Sequence, residues 1–199
     1  MKILIGTPIH ECKDYSIPRW LVSLKELDWP DKHILLVDNS IGTSYADDLR
    51  LTTGYRTLHI DVDTGDPEER VGIAEEKIRE IILNEGYDYW FAWDCDILLP
   101  SYALKELVKF CEEFDVVLHA YPDRVGAGQY NVGGRFGCAL IKRNVLAQYG
   151  FLLQYGEIDP LNPNCWHGTE PWFLRRVIRG GGKYVELYGL IRPIVHLNE

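Results

Sequence analysis

Two carboxylates, Asp94 and Asp96, stand one residue apart at the end of the run YDYWFAWDCDILLP, Tyr87 to Pro100. The first part of that run is aromatic and apolar, as in a strand buried on both faces. In an extended chain, residues i and i+2 face the same side about 7 Å apart. Two negative charges so placed repel each other unless a cation lies between them. A hard divalent ion, Mg2+ or Mn2+, suits such oxygen ligands and commonly keeps substrate phosphate oxygens in its shell. The pair therefore points to a metal-bound diphosphate. The same triplet also fits a solvated turn in which Asp96 helps start the helix after Pro100, so its position in the fold decides between the two.

The surrounding elements can be read from apolar spacing. KILIGT (Lys2 to Thr7) and HILLVDNS (His33 to Ser40) are short apolar runs with polar ends and read as strands, and TLHIDVD (Thr57 to Asp63) reads as a third. Trp20, Leu21, Leu24 and Leu27 keep helical spacing after Ser16 and Pro18, and Trp29-Pro30-Asp31 ends that helix. Val71, Ala74, Ile78, Ile81 and Ile82 line one face of a longer helix that stops at Gly86. Leu104, Leu107, Val108 and Cys111 mark another helix, and DVVLHA (Asp115 to Ala120) a fifth strand. This alternation predicts an α/β chain of βαβ units with a mostly parallel, Rossmann-like sheet flanked by helices. Ligands of such sheets bind beyond the carboxyl ends of the strands. Here three of those ends are Thr7-Pro8, Asp38-Asn39 and Asp94-Cys95-Asp96.

After Ala120 the texture changes. YPDRVGAGQYNVGGRFG and QYGEIDPLNPNCWHG are long irregular stretches of the kind that carries function. A helix beginning near Glu170-Pro171 and two short strands, KYVELYG and RPIVHL, complete the chain. The expectation is one domain over 1–199, with a sheet half to about residue 120 and a loop-rich half from about 121.

Composition narrows the function classes. The chain has 199 residues and a formal charge of -9, which argues against nucleic-acid or anionic-membrane partners. No apolar run reaches the length of a transmembrane helix. The five cysteines (Cys12, Cys95, Cys111, Cys138 and Cys165) form no CxxC pair. They read as mostly buried thiols of a reducing, cytoplasmic compartment rather than as a zinc ribbon or disulfide framework.

Taken in order, these segments resemble the glycosyltransferases of the GT-A fold, particularly the family 2-like enzymes. GTPIHE is similar to the first nucleotide-binding strand and turn of that family, and HILLVDNS to its second strand. DCD is similar to its metal motif after strand four. GRFGCALIKRNVLAQYGF resembles a small-residue strand, basic pair and helix that follow, and HGTEPWFLRRVIRGGGKY its acidic helix start and basic helix. VHLNE puts His196 where many relatives carry a further metal ligand. The resemblance implies a nucleotide-diphospho-sugar transferase fold with a nucleotide-binding first half and an acceptor-binding second half. It also implies transfer of a sugar from a UDP- or GDP-sugar to a glycan, lipid or protein hydroxyl, with Mn2+ or Mg2+. Asp96 would bind the metal directly, and Asp94 the ribose or the metal. Thr7, Pro8 and Asp38 would frame the nucleoside, with Arg70 facing the nucleotide. Glu170 would be the general base. The Gln-x-x-Arg-Trp motif and membrane helices of processive synthases do not occur, so a non-processive enzyme is expected.

Each residue also has a structural reading. His196 fits a partly exposed structural histidine, Asp38 a turn, and Arg70 a salt bridge to the glutamates of its own helix. Glu170 fits an acid favoured at a helix start. Pro171 stands where many relatives carry a second acid, so Asp159 and Glu157 remain alternative bases. Trp166 and His167 fit either a sugar-stacking face or the packing of their loop. The competing functions are a sugar nucleotidyltransferase and a nucleotide- or glycan-binding module without turnover. A DxDx(T/V) phosphatase is disfavoured by Leu98 at the fifth position.

Overall fold

A computed structural model describes residues 1–123, 129–131, 133–152 and 169–198. Glu157, Asp159, Cys165, Trp166 and His167 lie outside the described residues.

The apolar runs become the strands β1 (Ile3–Ile9), β2 (His33–Asp38), β3 (Arg56–His59), β4 (Tyr89–Trp93), a two-residue β5 (Ile97–Leu98) and β6 (Val116–His119). Between them lie the helices α1 (Ile17–Glu26), α2 (Ser44–Thr53), α3 (Pro67–Glu85) and α4 (Ala103–Val108). Two-residue strands β7 (Tyr121–Pro122) and β8 (Tyr130–Asn131) pair with each other, and β9 (Cys138–Lys142) leads into α5 (Arg143–Gln148). Helix α6 (Thr169–Arg179), β10 (Tyr184–Leu187) and β11 (Val195–His196) follow.

Seven strands form one sheet in the order β10-β6-β9-β4-β1-β2-β3. All neighbours run parallel except β9, which is antiparallel to both β4 and β6. The sheet is thus mostly parallel, as expected, and crosses from the first half of the chain into the second. Each face carries its own apolar core. Trp20, Phe91 and Trp93 anchor one face beside α1 and α4, and Trp90, Phe136 and Phe173 the other beneath α3 and α6.

Two features went unread in the sequence. Helix α2 buries only Ala46 and Leu49, and Leu51 is 82% exposed, so its apolar stripe is too thin to announce a helix. Gly54 closes it in the left-handed conformation, φ 71°. Strand β3 stops at His59 instead of Asp63, because its register with β2 ends at Asp38.

The two-residue ladder between β5 and β11 matters most for the site. His196 pairs with Ile97 and Val195 with Leu98, and Leu197 N donates to Asp96 O at 2.7 Å. The end of the described chain is thereby tied to the Asp94–Asp96 turn.

Candidate active site

A cleft of about 540 Å³ opens at the carboxyl end of the sheet. Pro8, Asn39, Arg70, Asp94, Asp96, Arg135, Glu170 and His196 are among its walls. The end of β1, the turns that follow β2 and β4, the start of α3, the start of α6 and β11 each contribute, which is where a doubly wound sheet is expected to bind its ligand.

Asp96 is held deep in this cleft, its side chain 4% exposed. Lys13, from a 3-10 turn at Glu11–Lys13, pairs with Asp96 Oδ2. His196 Nε2 lies 3.7 Å from Oδ1 of the same carboxylate. The other ring nitrogen, Nδ1, sits 3.0 Å from Pro122 O. A carbonyl only accepts, so Nδ1 carries the proton, and in the neutral ring Nε2 presents a lone pair toward the carboxylate. This arrangement, one ring N–H held by a backbone carbonyl and the opposite nitrogen facing an acid, is the way metal-binding histidines are usually oriented. Ligand bonds of about 2.1 Å set neighbouring ligand atoms roughly 3 to 4 Å apart, so the separation and the oxygen–nitrogen donor set fit a small divalent ion. Among the described residues no three His, Cys, Asp or Glu side chains form a closed cage. Magnesium-type sites are normally completed by substrate phosphates and water instead.

Asp94 is partly buried beside Gly137. A Cβ on Gly137 would lie 2.3 Å from Ile97 Cδ1, 2.8 Å from Tyr121 Cζ and 2.9 Å from Asp94 Oδ2. A side chain there would push on the acid and on the β5 ladder together. Gly137→Ala is expected to cost about 1–3 kcal/mol, read as a lower Tm, and to weaken Mn2+-dependent nucleotide binding in the same variant.

Glu170 lies in the first turn of α6, buried, with Oε1 accepting from Phe136 N at 3.1 Å. Arg135 Nη1 stands 3.7 Å from its Oε2 and equally far from Glu68 Oε2. Burial, followed by the charge of Asp94, pushes Glu170 up to about 8, against the pull of Arg135 and the Phe136 amide. About two turns into α3, Glu75 is buried, 2% exposed, and accepts from Thr169 Oγ1 at 2.9 Å. Burial first, then the charge of Glu170, holds Glu75 well above the usual carboxylate range. Helices α3 and α6 meet here only because residue 72 is glycine: a Cβ would lie 2.3 Å from Thr169 Cγ2.

Of the three residues expected to frame a nucleoside, Pro8 lines the cleft and Thr7 and Asp38 do not. Thr7 Oγ1 donates to Trp93 O at 2.8 Å and is buried, so it clamps β1 to β4 and does not line the cleft. Asp38 is 0% exposed; Oδ1 accepts from Ser40 N at 3.0 Å and Ser40 Oγ at 2.6 Å, and Oδ2 lies 2.8 Å from His59 Nδ1. Burial depresses the His59 pKa, but the hydrogen bonds to Asp38 and Asp61 outweigh it and leave the net shift upward. Asp38 thus shapes the turn after β2, and the neighbours Pro8 and Asn39 reach the cleft in place of Thr7 and Asp38. Arg70 does reach the cleft. Its guanidinium donates to Thr64 O at 2.7 Å and lies 3.2 Å from His10 Nε2, not against the glutamates of its own helix. Lys13, Arg135 and Glu75 were missed in the sequence. Lys13 and Arg135 carry no spacing signal, and Glu75 looks like one more charge on an acidic helix.

No protein-family model matches the sequence, and neither does any curated protein. Solved structures do match. Residues 1–349 of TarS from S. aureus, in complex with UDP-GlcNAc, share 16% identity over 98% of this chain, with a TM-score of 0.63. The chain spans 60% of that 1–349 segment and 35% of a longer TarS chain. The mannosyltransferase PcManGT from Pyrobaculum calidifontis, in complex with GDP-Man and Mn2+, shares 13% identity over 95% of this chain and 55% of its own, with a TM-score of 0.64. A 4-diphosphocytidyl-2C-methyl-D-erythritol synthase shares 15% identity over all of this chain and 92% of its own, with a TM-score of 0.62. Likeness at such identity carries the fold alone, and that fold is GT-A-like, the architecture of nucleotide-diphospho-sugar transferases.

Proposed function

We propose that this chain is a non-processive, metal-dependent glycosyltransferase. It moves a sugar from a UDP- or GDP-sugar to a hydroxyl of a glycan, lipid or protein acceptor. The observation that carries the reading is a convergence: the Asp96–His196 pair and Glu170, contributed by three separate segments, open into one cleft.

Asp96, Asp94 and His196 would hold the ion, Mn2+ or Mg2+, which when bound supplies Lewis-acid stabilisation of the departing diphosphate. Pro8 and Asn39 line the nucleoside end, and Arg70 offers its guanidinium to the donor phosphates. Glu170, ionised, takes the proton from the acceptor hydroxyl as that oxygen bonds to the anomeric carbon and the bond to the diphosphate breaks. The Phe136 amide fixes one carboxyl oxygen, and the other, with Arg135 Nη1 3.7 Å away, is the one that takes the proton. If Glu170 deprotonates the attacking hydroxyl in a single displacement, inversion is the expected outcome. The reading includes a cytoplasmic location, supported by the four described cysteines, all of which are free thiols. No helix among the described residues is long and apolar enough to cross a membrane.

One observation favours a second reading, a nucleotidyltransferase: the likeness to the 4-diphosphocytidyl-2C-methyl-D-erythritol synthase covers 92% of that chain. The segment GTPIHECKDY, Gly6 to Tyr15, lacks the pattern of glycines and arginine with which such enzymes grip a triphosphate. Calorimetric titration with UDP and GDP, each with and without Mn2+, followed by a donor-hydrolysis assay, tests the first reading. Tighter diphosphate binding with metal and slow release of sugar are expected. Turnover of CTP or UTP with a sugar phosphate, and none of a nucleotide sugar, would favour the second reading; diphosphate binding without either turnover would leave a binding module.

A further inference from the structure

We propose that Lys13 is a tethered counter-ion for the acidic corner. It closes the metal position in the free protein and moves onto the diphosphate when ion and nucleotide arrive together, so that Mn2+ alone binds poorly. This rests on the metal reading given above.

The geometry behind it is the division of one carboxylate. Lys13 Nζ pairs with Asp96 Oδ2, and His196 Nε2 faces Oδ1. A carboxylate this deeply buried is costly without a positive partner, and Lys13 is such a partner built into the chain. An ammonium on Asp96 and a divalent ion on the same group repel each other, so the ion must displace the lysine. The turn that carries Lys13 is firmly set. Lys13 N donates to His10 O at 2.8 Å, Cys12 N to His10 Nδ1 at 3.1 Å, and Ser16 Oγ to Lys13 O at 2.6 Å. The backbone therefore stays, while the four-carbon side chain, 27% exposed on the cleft wall, is free to swing. A displaced ammonium that has lost Asp96 needs another anion within reach. A nucleoside diphosphate in the cleft supplies one. Metal and diphosphate then help each other to bind, and by linkage the coupling is the same in both directions.

The test compares the wild type with Lys13→Met and Lys13→Arg. Free Mn2+ is followed by its electron paramagnetic resonance signal, and UDP and GDP by calorimetry at saturating Mn2+. Lys13→Met is expected to bind Mn2+ alone at least about tenfold more tightly, and the metal–diphosphate complex about tenfold more weakly. Lys13→Arg keeps a cation on Asp96 and is expected to stay near the wild type for Mn2+ alone. Unchanged affinities in Lys13→Met overturn the inference. Asp96→Ala separates the two levels. If it abolishes metal-dependent diphosphate binding while Lys13→Met changes nothing, only the role of Lys13 falls. If it leaves that binding intact, the metal reading itself fails. Melting curves of each variant confirm that the fold is retained.

Discussion

Glu170→Gln should bind the donor as the wild type does and lose transfer by about 10²–10⁴-fold, the usual contribution of a positioned general base. The replacement keeps the volume of the side chain and an oxygen that can accept from Phe136 N, which lies 3.1 Å from Oε1. What it removes is the ability to take a proton. The donor contacts lie on other residues, so the diphosphate affinity at saturating Mn2+ should stay within a few-fold. A large kcat loss with an unchanged donor Kd is the expected split. Full transfer activity in the variant would remove Glu170 from the reaction and turn attention to Asp159 and Glu157.

The pH profile gives the same assignment a second reading. Burial and the charge of Asp94 raise Glu170 to about 8, so in the free enzyme the working, ionised form is reached only as pH rises through that value. The profile of kcat/KM should therefore climb to a limb near pH 8. A cation held beside Asp94 offsets that residue's charge, which lowers Glu170. The limb of kcat, which reports the loaded enzyme, should accordingly lie at lower pH. Stability runs the opposite way. A carboxyl whose folded pKa is raised binds its proton more tightly in the native state than in the unfolded chain. Its stabilising contribution is complete below the unfolded value and is lost as pH rises through about 8. Glu75, raised in the same direction by burial and by Glu170, adds to the slope. Glu170→Gln should flatten the decline of Tm between pH 5 and 9, in a scan that needs no substrate.

Much of the sheet was legible because burial on both faces leaves a mark in the sequence. Strands β1, β2, β4 and β6 are continuous apolar runs whose polar ends locate the rim of the cleft. Direction leaves no such mark: the residues CALIK of β9 read the same whichever way the strand runs, and its antiparallel placement between β4 and β6 comes from the topology around it. The acids of the site stood out because carboxylates after an apolar strand are conspicuous. Their partners did not. Lys13 meets Asp96 across 83 positions and His196 across 100, through a turn and a two-residue ladder that no periodicity encodes. Asp38 illustrates the reverse case. Its place at the end of β2 suggested a ligand contact, yet a buried carboxylate must be satisfied, and Ser40 and His59 were near enough to do so. A pattern of residue types locates a rim; which side chains turn outward depends on the hydrogen bonds available within.

Asp96→Ala should abolish the difference between diphosphate binding with and without Mn2+. The side chain bridges two groups from distant parts of the chain, Lys13 on one oxygen and His196 on the other. Removing it takes away the buried carboxylate that faces both, and direct ligands matter more than supporting residues, whose loss already costs about 10- to 100-fold in metal affinity. A loss beyond about 100-fold in metal-dependent affinity is therefore expected. Folding should survive, because the contact that ties the end of the chain to this turn uses the backbone: Leu197 N donates to Asp96 O at 2.7 Å, whatever the side chain. The variant also releases Lys13. With its counter-ion gone, the ammonium is free to meet the diphosphate directly, so weak binding should persist and should not respond to metal. That residual binding distinguishes a lost metal site from a collapsed cleft, which would bind neither way. Asp96→Asn, equal in volume but uncharged, should behave as the alanine variant does. Retention of the full Mn2+ effect in either variant would show that the ion is held by other residues, and would leave Asp96 as a structural partner of Lys13.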